Sequence, residues 1–157
     1  MLLSNKNRKR QKGNTILEFA LGSGILIAVF TGVFEFGYSF YIYDNLQTAV
    51  NNGAKYASLR TYESSTSTPS VCFQTAVQDM VAYGDPTGTN TTPIAPNLSP
   101  SNVSVSVTFS NGVPSQMAVA ISNYTIKAAV ANITLTNKPE MSYPFLGRYA
   151  PGNACSQ

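Results

Sequence analysis

The chain has 157 residues, ten basic and seven acidic side chains for a net charge of +3, no histidine and two cysteines. Without histidine there is no Ser-His or Cys-His nucleophile pair and no imidazole metal ligand. No cluster of lysine, tyrosine or carboxylate replaces them, so the sequence reads as a non-enzyme with no catalytic, metal or cofactor site. The length suits one membrane segment and one modest domain.

The charges are unevenly placed. Lys6, Arg8, Lys9, Arg10 and Lys12 form a basic leader, and the remaining five bases against seven acids leave residues 14–157 at −2. Cations gathered beside an apolar helix follow the positive-inside rule and put the N-terminus in the cytoplasm. No Arg/Lys-plus-aromatic patch points to nucleic acid. The acids Glu63, Asp79, Asp85 and Glu140 lie among polar loop residues and read as solvated.

From Thr15 to Tyr43 the sequence is apolar apart from Glu18 and Glu35. As a helix this run is about 43 Å long, against roughly 30 Å for a hydrocarbon core. It spans with tilt or leaves one end outside. It is too long for the apolar part of a secretory signal and lacks a small-x-small cleavage site at its far end. Phe36, Tyr38, Phe40, Tyr41 and Tyr43 form an aromatic belt at the outer end. An acid at mid-bilayer costs about 2.5–3.5 kcal/mol on insertion scales, so Glu18 needs a use.

Ala20, Gly24, Ala28 and Gly32 recur every fourth residue, and Glu35 falls on the same side. Such a stripe admits a second helix backbone in lipid. Thr31 and Ser39, one turn either side of Glu35, are placed to hydrogen-bond its carboxyl. Beyond Tyr43, Leu46, Ala49, Val50, Gly53 and Ala57 keep the helical spacing. No proline occurs before Pro69, so one helix is expected from near Asn14 to about Leu59.

Glu63–Ser70 reads as a Ser/Thr-rich linker, and Val71–Tyr83 as a short amphipathic helix through Phe73, Val77, Met80 and Val81. Gly84–Asn102 is a loop. Val103–Phe109 alternates as a strand and Asn111-Gly112 signals a turn. Gln116–Ile121 and Tyr124–Leu135 are expected as further strands antiparallel to the first. The fold class is α+β: a long N-terminal helix, its membrane span continuing into an exported amphipathic half, packed on a small domain with a short helix and an antiparallel sheet. The expected organisation is a leader over 1–13, the long helix over 14–60 with its span at about 16–43, and an exported domain over 61–157. In an exported domain Cys72 and Cys155 are expected to pair, closing a loop worth roughly 4–5 kcal/mol at most by chain entropy.

A basic leader, Gly13, four residues, Glu18 and then an apolar helix resemble a type IV prepilin processing site. Cleavage between Gly13 and Asn14 would free an α-amino group one turn from Glu18, and that amine on a neighbouring subunit can neutralise the carboxylate. Residues 13–58 resemble the TadE-like pseudopilins of tight-adherence (Tad) pilus systems. The likeness rests on Glu-Phe-Ala-Leu at 18–21, Glu-Phe-Gly at 35–37 and Gly-Ala-Lys-Tyr-Ala-Ser at 53–58. The early proline common in that family is replaced here by Gly24, so the helix is either straighter or bent at Gly22-Ser23-Gly24.

The resemblance implies a bacterial inner-membrane minor subunit, cut by a prepilin peptidase, that helps start, cap or adapt a filament. Its partners would be other pilin or pseudopilin subunits through the N-terminal helix, the peptidase and an inner-membrane assembly platform. A second reading is a signal-anchored periplasmic or surface adhesion module that keeps its leader.

Overall fold

The computed structural model describes residues 8–128 and 131–152, with side chains from Asn14 onward. Two compact units divide the chain, Met1–Tyr38 and Ser39–Gln157. Helix α1 runs from Arg8 to Leu59, so it starts six residues earlier than the apolar pattern suggests. Lys, Arg and Gln are good helix formers, and the leader contains no proline to stop the helix propagating backward. The helix continues unbroken through Gly22-Ser23-Gly24.

In the first unit the apolar side chains of α1 face outward all round. Ile16, Phe19, Ile27 and Phe34 are 70, 77, 66 and 78% exposed. By length and apolar composition, Asn14–Leu59 is a candidate membrane span.

The second unit carries the core. On α1, Ile42, Leu46, Ala49, Val50, Ala54 and Ala57 are buried, at the spacing that lines one side of a helix. Helix α2 (Val71–Tyr83) buries Phe73, Ala76, Val77, Val81 and Ala82. Ser70 caps it by accepting the Phe73 N–H, and Gly84 closes it with φ 73°, donating its own N–H to the Met80 carbonyl. That left-handed cap is cheap only without a Cβ.

After a 3-10 turn at Pro100–Asn102 come β1 (Val103–Ser110) and β2 (Val113–Ile121), joined through Asn111 and Gly112, both at positive φ. Two such residues make the hairpin turn whose twist suits antiparallel strands. β1 pairs with β2 in antiparallel register, Val103 opposite Ile121 and Val107 opposite Met117, with an irregularity between Thr108 and Phe109. Val103, Val107, Met117, Val119 and Ile121 point into the core, while Ser104, Ser106 and Thr108 face solvent. The Gln78 amide of α2 donates to the Val103 carbonyl at 2.9 Å, closing part of the β1 edge.

Tyr124–Leu135, expected as strand, does not join β1 and β2. β3 (Tyr124–Lys127) and β4 (Asn132–Leu135) form their own two-stranded sheet. The third strand beside β2 is β5 (Glu140–Pro144), giving the order β1-β2-β5. Its signal is the alternation Met141, Tyr143, Phe145, all packed against the core. The Tyr143 hydroxyl donates to Asn51 Oδ1 at 2.5 Å, tying β5 to α1.

Tyr62 is the hub. It is fully buried, and its ring meets Phe73 at 5.1 Å, Phe109 at 5.9 Å, Phe145 at 6.4 Å and Tyr149 at 6.5 Å. Backbone bonds from Tyr62 N–H to the Arg148 carbonyl and from Ala150 N–H to the Tyr62 carbonyl hold the late segment to it. Burial pushes the Tyr62 phenol above its ordinary pKa.

Candidate functional site

The residues expected to carry assembly lie on the first unit of α1. Gly13 and Asn14 fall within the helical backbone rather than in extended chain, so cleavage between them would require about one turn to unwind. Glycine, the weakest helix former after proline, makes that opening cheaper. Glu18 is exposed. Among the described residues the ion pair found is Lys138–Glu140 at 3.5 Å, and Glu18 meets no cation.

Ala20, Gly24, Ala28 and Gly32 are likewise exposed, and Glu35 is half-buried. A Cβ added at Gly22, Gly24, Gly32 or Gly37 would meet nothing within 4 Å. No contact described within the chain requires glycine there. Gly53, in the second unit, is the opposite case: a Cβ there would overlap Val81 Cγ2.

The expected hydroxyl support for Glu35 is corrected at Thr31, whose hydroxyl donates to the Ile27 carbonyl at 2.9 Å. Ser23 does the same to the Ala20 carbonyl at 3.0 Å. In a helix a β-hydroxyl reaches the preceding turn of its own backbone more readily than a side chain four residues on.

Cys72 lies half-buried on the first turn of α2, and none of the described cysteines is a free thiol. Cys155, its expected partner, lies outside the described residues.

Two acids read as solvated are at least partly covered. Glu63 is 5% exposed; its Oε2 accepts the Ser70 hydroxyl at 2.8 Å, and its Oε1 is buried without a partner among the described residues. The Ser/Thr-rich linker folds back over the start of α2, taking the carboxylate with it. The Asp79 carboxyl is pushed up, first by burial and then by the Asp85 charge. Asp85 is held down, chiefly by the Thr87 backbone N–H and then by that of Asn90.

Asp79 also lines a cavity of about 440 Å³ with Tyr56, Arg60, Val71, Pro86 and Thr87. Arg60 stacks on Tyr56, 5.7 Å from the ring centroid, and its Nη1 donates to the Tyr56 hydroxyl at 2.5 Å. The sequence carried no signal of this cavity, because its walls come from α1, α2 and the loop after α2. No group of three His, Cys, Asp or Glu side chains converges to hold a metal among the described residues.

Residues 13–55 match the model of a family described as TadE-like protein. The match starts at Gly13 and takes in Glu18, the small-residue stripe and Glu35. Over that stretch the chain is similar to TadE-like proteins; residues 56–157 lie outside the match. The apolar helix that it covers fits a single-pass membrane protein. No curated protein and no solved structure matches the chain.

Proposed function

We propose that this protein is a minor pilin-like structural subunit of a Tad-type, type IV-like pilus assembly system. It sits in the bacterial inner membrane with its N-terminus cytoplasmic and its C-terminal domain periplasmic or extracellular, and it helps start, cap or adapt the filament. The observation that carries this reading is the family match beginning at Gly13, joined to a long apolar helix with open space around Gly22, Gly24, Gly32 and Gly37.

A prepilin peptidase cuts between Gly13 and Asn14. The new α-amino group of one subunit neutralises the Glu18 carboxylate of the next, which removes the desolvation penalty and sets their axial register. Ala20, Gly24, Ala28 and Gly32 let the two backbones close, since packing and hydrogen bonding drive association where the solvent is itself apolar. The subunit meets other pilin or pseudopilin subunits through this helix, and an inner-membrane assembly platform drives it out. On the exported side Cys72 and Cys155 pair and pin the end of the chain; a mobility change on reduction in a denaturing gel tests that bond.

Intact-mass measurement of the protein extracted from native membranes tests the central step. A mature N-terminus at Asn14 is expected. Recovery of the chain with its basic leader attached would instead favour an uncleaved signal-anchored adhesion module.

A further inference from the structure

From Asn14 to Tyr38, α1 carries two carboxylates and no other charged side chain, and their spacing bears on how the helix sits in lipid. This inference rests on the membrane part of the proposed function and is independent of cleavage. Glu18 and Glu35 are seventeen residues apart, which on an α-helix is about 25 Å. A hydrocarbon core is roughly 30 Å thick.

With Glu18 at the midplane, Lys12 and Arg10 of the uncleaved chain would lie about 9 and 12 Å away along the helix, inside the hydrocarbon. Glu35 would then sit well outside on the far side. With Glu35 at the midplane, Asp44, about 13 Å on, would enter the core. So would Ile42, which is 2% exposed because protein already encloses it. Either placement puts a second charge where the first was already unfavourable.

We propose that Glu18 and Glu35 lie at opposite margins of the hydrocarbon core, so that the bilayer midplane falls at Leu26–Ile27. The segment Phe19–Phe34 between them contains no ionisable side chain and is exposed along its length apart from the half-buried Ser23. It is about 24 Å long, slightly shorter than the core, a mismatch small enough for local thinning of the bilayer to absorb. The aromatic residues from Phe36 onward then ride in the outer headgroup layer. Glu35 is the stop that prevents α1 from sinking further.

The chain contains no tryptophan, so single tryptophans report depth without background. Phe19, Ile27 and Phe34 are each more than 60% exposed, so Phe19→Trp, Ile27→Trp and Phe34→Trp disturb no packing. The full uncleaved chain is placed in phosphatidylcholine vesicles whose acyl chains are brominated either near the glycerol or near the chain ends. Ile27→Trp should be quenched most by the deep bromines, and Phe19→Trp and Phe34→Trp most by the shallow ones. Strongest deep quenching at residue 19 or 34 overturns the placement. Adding Glu35→Leu to Phe34→Trp should move that tryptophan toward the deep quencher; an unmoved profile overturns the role of Glu35 as a stop. Quenching at none of the three positions removes the membrane reading itself, whereas an uncut N-terminus in native membranes would leave this inference intact.

Discussion

Gly53 of α1 lies so close to Val81 of α2 that a Cβ on the glycine would overlap Val81 Cγ2. That approach lets two helices meet within the core of the second unit, where both residues are buried. Gly24 and Gly32, earlier on the same helix, have open space around them. Gly53→Ala should therefore lower stability by about 1–3 kcal/mol through overpacking, less what the better helix former returns. Gly24→Leu should leave the denaturant midpoint unchanged while lowering crosslinking to neighbouring subunits in membranes. A stability loss at Gly24 equal to that at Gly53 would contradict this division.

Glu18→Ala tests the charge pairing. Insertion and cleavage should persist, since the substitution makes the helix more apolar and leaves Gly13 and Asn14 in place. Incorporation with partner subunits should be lost, read by co-purification from detergent extracts. Normal co-purification of the Ala variant would end the pairing idea.

Tyr62 separates packing from hydrogen bonding at one position. Its hydroxyl donates to the Thr66 carbonyl at 2.7 Å, so Tyr62→Phe should cost about 0.5–1.5 kcal/mol. Tyr62→Ala empties the centre of the aromatic cluster and should cost about 3–5 kcal/mol. Chemical denaturation of the two variants should rank them in that order.

Asp79 and Asp85 act on acid stability in opposite directions. Asp85 has a depressed pKa in the folded state, so its contribution is present above the ordinary carboxylate range and is lost as pH falls through the folded value. Asp79 is raised, so it disfavours folding once pH exceeds its folded value. Asp79→Asn should flatten the loss of stability with rising pH just above the ordinary carboxylate range, and Asp85→Asn should remove part of the gain in stability with rising pH below that range. The Asp85→Asn change should also bring the Asp79 pKa down part of the way. It should not restore the ordinary value, because burial is the larger cause; carboxyl-carbon NMR titration reads both.

What the sequence determined by itself was whatever depends on residues a few positions apart. The helical spacing of Leu46, Ala49, Val50 and Ala57 announced one side of α1, and the alternation from Val103 with Asn111-Gly112 announced the β1–β2 hairpin. Glu18, Glu35 and the small-residue stripe were legible for the same reason, since helix geometry alone places them. Tertiary structure decided which strand joins β2, because β5 competes with β3 and β4 for that edge and only the closed chain brings Met141 and Tyr143 over the core. It also decided that Glu63 is buried and that Arg60 and Asp79 share a cavity. Such placements depend on how separate elements fold onto one another, which the spacing of residues within one element does not reveal.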